Sequence, residues 1–203
     1  PGATVSVIVV VGLPPTSVQP LFSAAEKEKP AGIVSVISMS LGWLSWGPGD
    51  GTGYLANVVD SFVAAGGFWA NSAGNSRLAH WQGAWRDDDG DGYLNYTADS
   101  EVNYITYDGV NTAVVPVGTT INASMIWNQW SSPPTDLDFH LVKSVGGGAA
   151  VIVHSADGPQ NGSPDQRPVE EFVYEVTEEA AYGFVVQGLS GPANVDIEYF
   201  NRL

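Results

Sequence analysis

Hydrophobic positions along this chain follow two rhythms. Up to about residue 80 they come in runs. Residues 4–11, TVSVIVVV, are almost continuously β-branched, as expected of a strand covered on both faces, and GIVSVISMSLG reads as a second strand. Between them, behind Pro20, Leu21, Phe22, Ala24 and Ala25 have the spacing of a short helix with a charged end. Leu55, Val58, Val59, Phe62 and Val63 then fall at i, i+3, i+4, i+7 and i+8, which predicts a helix that Gly66 and Gly67 stop. FWANSAG reads as a third strand. Strand, helix, strand, helix, strand predicts a parallel sheet with right-handed crossovers, and such sheets bind ligands beyond the carboxyl ends of their strands. Those ends carry SLGW and SAGNS.

From about residue 101 the period changes to two. In DLDFHLV, Leu137, Phe139 and Leu141 share one face, and Asp136, Asp138 and His140 the other. EEFVYEV, AYGFVVQ and NVDIEYF repeat the alternation between Gly, Pro, Asn and Asp turns. This predicts an antiparallel, jelly-roll-like sandwich of roughly eight short strands. The fold class is thus an α/β partial parallel-sheet core over residues 1–100 plus an all-β sandwich over 101–203, the boundary falling near 97–103.

Composition narrows the partners. The 203 residues are 44% hydrophobic and 14% charged, which suits a folded chain, and the net charge of −15 repels nucleic-acid phosphates and anionic membrane surfaces. The longest apolar run, VSVIVVVGL, is far shorter than the ~20 residues of a membrane-spanning helix, so no membrane insertion is expected. Without cysteine there is no disulfide or thiolate chemistry. The opening PGATV has neither Met nor a signal-like segment, so the natural N-terminus is expected to lie elsewhere. Three glycosylation sequons, at Asn95, Asn122 and Asn161, matter only in a eukaryotic secretory pathway.

The densest charge is the stretch RDDDGDGYLNY. Asp87, Asp89 and Asp91, followed by Gly92 and Leu94, match the first half of a calcium loop, in which alternate carboxylates converge on one ion. The twelfth position, where a bidentate Glu belongs, is Ala98; Glu101 stands further along. A calcium site and a solvated acidic turn are both open readings. Asp136 and Asp138 suggest a second cation site or a carboxylate pair, but the polar surface of a sandwich accounts for them more simply. Trp43, Trp46, Trp81 and Trp85 read as core or junction fillers before ligand platforms, and His80 as a surface or junction His.

The carboxyl ends carry a resemblance. VISMSLG followed, after a helix, by GGFWANSAGN resembles the core of subtilisin-like serine proteases, where one strand ends Ser-Leu-Gly and a later one Ala-Gly-Asn. PGATV is similar to the segment that follows that family's catalytic-His helix. The resemblance covers residues 1 to about 80 and rests on the order and spacing of the motifs. It implies that Ser40, Leu41 and Gly42 form the edge that pairs with an extended peptide or protein substrate. It further implies that Ala73 and Gly74 line the adjoining side-chain pocket and that Asn75 is the side-chain oxyanion donor.

The family also needs an Asp, a His and a nucleophilic Ser. No Gly-Thr-Ser occurs in this chain, and His80, His140 and His154 stand in other contexts. The chain alone is therefore expected to be inactive, as the middle fragment of a secreted, extracellular endopeptidase that needs no organic cofactor and at most calcium. On that reading the sandwich is inserted before the nucleophile; WNQWSSPPTDLDFHLV and EEFVYEV resemble the pre-peptidase class of β-sandwich. The rivals are a pseudoprotease and a non-catalytic binding module whose sandwich holds protein, glycan or calcium.

Overall fold

The spacing of Leu55, Val58, Val59, Phe62 and Val63 does fold as a helix, α1 (Tyr54–Ala64), with Val58 and Phe62 buried. Its end is a Schellman motif: the Gly67 amide donates to the Phe62 carbonyl at 3.0 Å and the Gly66 amide to Val63 at 2.8 Å. Gly66 takes the required left-handed backbone, φ 83°. Gly67 is needed for another reason, since a Cβ there would lie 2.2 Å from the Phe62 ring. The computed structural model describes residues 36–40, 42–76, 79–190 and 194–203. The strand expected at 4–11 and the helix behind Pro20 lie outside them.

Strands β1 (Val36–Met39) and β2 (Phe68–Asn71) flank α1 in sequence and pair in parallel, Val36 opposite Phe68 and Met39 opposite Asn71. The Ser72 amide extends the ladder to the Met39 carbonyl at 2.9 Å. Trp43, Leu55, Met39 and Trp69 pack against Val58, and Phe62 meets Trp69 edge-on with centroids 5.8 Å apart.

The remaining strands are β3 (His80–Ala84), β4 (Asn103–Tyr104), β5 (Val114–Val115), β6 (Thr120–Trp127), β7 (Asp136–Ser144), β8 (Val151–Ala156), β9 (Val169–Glu175), β10 (Ala180–Ser190) and β11 (Asp196–Arg202). They form two antiparallel sheets. One runs β3-β11-β6-β9; the other runs β4-β10-β7-β8, with β5 also on β10. Their facing sides carry the predicted core: Leu137, Phe139 and Leu141 are fully buried, and Phe139 lies 5.3–5.4 Å from the rings of Phe172, Phe184 and Tyr199.

Three expectations change. Strand accounts for 43% and helix for 7% of the described residues, and the sheets are antiparallel except for the single β1–β2 pair, so a doubly covered α/β core is not what they form. The sandwich starts earlier than residue 101, because β3 hydrogen-bonds to β11. The chain divides into one unit holding β1, α1 and β2 and a second running from Asn75 to Leu203, which also takes in Leu44–Pro48. Within that second unit the Ser45 hydroxyl donates to Ser124 at 2.8 Å, and Arg167 sits 5.4 Å from the centre of the Trp46 ring.

Third, the polar face of DLDFHLV is not solvated. Asp138 and His140 are only 7% and 5% exposed. β7 is interior to its sheet, between β10 and β8, and both of its faces are covered. His140 is satisfied there: its Nε2 donates to Gln187 Oε1 at 3.3 Å, and its Nδ1 accepts from the Ser155 hydroxyl at 2.8 Å. Among the described residues no helix is long and apolar enough to cross a membrane.

Candidate functional site

Two groups of residues singled out by sequence stand in separate units. In the first unit the parallel register of β1 and β2 brings their carboxyl ends to one edge. Ser40 and Gly42 follow β1, Ala73 and Gly74 follow β2, and all four are exposed. Leu41 lies outside the described residues. Gly74 has φ 81°, a backbone that side chains rarely adopt, and a Cβ there would meet nothing within 4 Å. A cavity of about 420 Å³ lined by Met39, Gly42, Trp43, Leu55, Trp69 and Asn71, among others, opens at this end of the pair. Asn75, exposed, begins the longer stretch of the second unit.

The acidic loop belongs to the sandwich and is fixed at both ends. Its far end adds to the edge of β10: Tyr93 bridges to Gln187, the Leu94 amide donates to the Val186 carbonyl, and Leu94 is fully buried. At its near end the Asp88 amide donates to Asn95 Oδ1, and the Asp88 carboxylate pairs with Arg86 at 3.0 Å, apart from the alternate-position trio. The Asp87 carboxylate accepts from the Gly90 amide at 2.7 Å and the Gly92 amide at 3.0 Å, and Asp91 accepts from Tyr93 at 2.9 Å.

These turns gather Asp87, Asp89 and Asp91 so that one carboxylate oxygen of each lies within 4.8 Å of the others. Glycine is required at 90 and 92, where φ is 79° and 92°. Glu101 is drawn into the same field. Burial, then the charges of Asp91, Asp89 and Asp87, raise its carboxyl above the usual range. The donor set is hard oxygen throughout, which suits calcium rather than a softer metal.

Sequence reasoning missed a further polar group. Glu170 on β9 is 5% exposed; burial pushes its carboxyl up to about 7, against the hydrogen bond it accepts from Gln160 Nε2 at 2.6 Å. The Gln160 backbone N–H in turn donates to Asp136 Oδ1 at 2.9 Å. Burial likewise raises Asp138, whose Oδ1 has no hydrogen-bond partner among the described residues. Strand alternation did hint at Glu170, since it shares a face with core Phe172. No protein-family model and no curated protein matches the chain.

Proposed function

We propose that this chain is the middle portion of a subtilisin-like serine endopeptidase, carrying substrate-edge and oxyanion residues while the triad comes from elsewhere in the parent. The supporting observation is the parallel register of β1 and β2, which brings Ser40 and Gly42 to the same edge as Ala73 and Gly74. An extended peptide at such an edge gains backbone hydrogen bonds, and small residues beside it leave room for a substrate side chain. Asn75, next along the chain, would then donate its amide to the oxygen that becomes negative in the tetrahedral intermediate. In the parent protein, Asn75→Ala is expected to lower kcat by about 10²–10³ with little change in KM, a magnitude taken from subtilisin itself and not from this chain. Unchanged turnover sinks the assignment. So does failure of the parent to react with a serine-directed fluorophosphonate.

A second reading concerns the sandwich. We infer that Asp87, Asp89 and Asp91 hold calcium, with Glu101 replacing the Glu that Ala98 displaces from the usual position. The observation in its favour is that Asp87, Asp89 and Asp91 each place a carboxylate oxygen within 4.8 Å of the others. The ion would stabilise the folded state by mass action and pin the loop. Calorimetry is expected to give saturable heat with calcium, lost in Asp89→Asn and weakened in Glu101→Gln. No heat at millimolar calcium ends this reading.

A further inference from the structure

The two sheets of the sandwich leave one side incompletely closed. On that side the terminal strands are β3 and β4, and β4 is only two residues long. A cavity of about 270 Å³ lies there, a little under the ~300–1,000 Å³ of typical small-molecule pockets, so its occupant is small.

Two glycines shape it. At Gly83 a Cβ would lie 2.7 Å from the Trp81 indole, so the ring occupies space that any side chain would claim. At Gly183 a Cβ would lie 2.7 Å from Val102 Cγ1 and 3.1 Å from the Tyr104 Cα. Its absence lets β4 approach β10 and bring Asn103 and Tyr104 to the rim.

The lining has two characters. Tyr199 and Phe184 are buried beneath it, and Trp81 stacks on Tyr199 with centroids 5.6 Å apart and planes 23° from parallel. Around them stand Asn103, Asn201 and Thr106, all partly exposed. Asn103 is held in place, because its Nδ2 donates to the Tyr199 hydroxyl at 2.5 Å; its carbonyl oxygen remains as an acceptor.

Charge then selects the ligand. Among the described residues no Lys, Arg, Asp or Glu lines the cavity, and the imidazole at its rim, His80, is bound by Glu198 at 2.8 Å. An anion meets no counter-charge on a chain of net charge −15, and a cation meets no carboxylate in the wall. A purely apolar ligand would strip water from two amides and a hydroxyl without replacing it. What fits is a small neutral molecule with one apolar face and a ring of hydroxyls.

We propose that this cavity binds a single neutral sugar ring, seated against the partly buried Trp81 and hydrogen-bonded by Asn103, Asn201 and Thr106. The proposal uses only sandwich residues and stands apart from the protease reading, so either can fail alone. The test titrates the whole chain with the methyl glycosides of glucose, galactose, mannose and N-acetylglucosamine. Nitrogen–proton NMR follows the amides of Trp81, Asn103, Thr106 and Asn201. At least one sugar is expected to give saturable, millimolar shifts confined to these residues. Asn201→Ala should weaken binding about tenfold, as should Thr106→Val, which keeps the side-chain shape while removing the hydroxyl. The absence of a saturable shift with all four sugars overturns the proposal. It is overturned equally by shifts that leave the cavity untouched, by affinity unchanged in both folded variants, or by tighter binding of glucuronate than of glucose.

Discussion

The parallel unit and the sandwich are built from equally apolar strands, yet they bury them very differently. In the first unit Val36 and Phe68, register partners at the start of the pair, are 64% and 63% exposed, and the buried hydrophobics among the described residues are Val58 and Phe62 of the helix. In the sandwich the inward residues of β7 are buried completely, and the aromatic rings of both sheets meet in one cluster around Phe139. Every buried polar or charged residue among those described also lies in the sandwich unit. Apolar content therefore does not say whether a strand is covered. A second layer does, and the described part of the parallel pair has only a helix.

The sharpest way to break this contrast is at the centre of the sandwich. Phe139→Ala removes a ring that touches Phe172, Phe184 and Tyr199 in a site with no room to collapse. A loss of about 3–5 kcal/mol is expected in denaturant unfolding of the sandwich. A loss below 1 kcal/mol, on the order of an exposed substitution, would mean that the cluster is not the core it resembles.

The same contrast explains what could be read from sequence. Period-two alternation carries the identity of the inward face with it, so Leu137, Phe139 and Leu141 were legible residue by residue, as was the helix from Leu55 to Val63. Continuous apolar runs carry no such label; GIVSVISMSLG reads as a strand, but nothing in it marks Val36 as exposed. β3 was missed because HWQGA is short and its pairing partner, β11, lies over a hundred residues away. Alternation also misled at Asp138 and His140, since it reports two faces but not whether the polar one meets water. Of the candidate site, the aspartate trio was visible as spacing, while the burial of Glu170 depends on how distant strands return. The roles of Ser40, Leu41, Gly42, Ala73, Gly74 and Asn75 came from resemblance alone.

Buried charge sharpens the comparison further, because among the described residues it lies only in the sandwich. The Glu170 carboxyl is pushed up to about 7 mainly by burial, so between about 4.5 and 7 the folded state binds a proton that the unfolded chain has released. Stability from this group is full below that window and falls as pH rises through it, by up to about 3 kcal/mol. Asp138, also raised by burial, contributes in the same direction. Glu170→Gln removes the titration, so the difference between unfolding midpoints at about pH 5 and about pH 8 should shrink markedly. An unchanged difference would assign the pH dependence to other groups.

The smallest effect is expected in the first unit, at Gly67. An alanine Cβ there would stand 2.2 Å from the Phe62 ring, so the ring or the turn after α1 must move. Overpacking of this kind costs about 1–3 kcal/mol. Amide exchange separates the two regions where a global melt would blur them. In Gly67→Ala the amides of residues 54–64 should exchange several-fold faster, while those of β7 and β10 keep their rates. If the sandwich strands accelerate equally, the two regions share one cooperative unit, and the difference in burial between them is not a difference in stability.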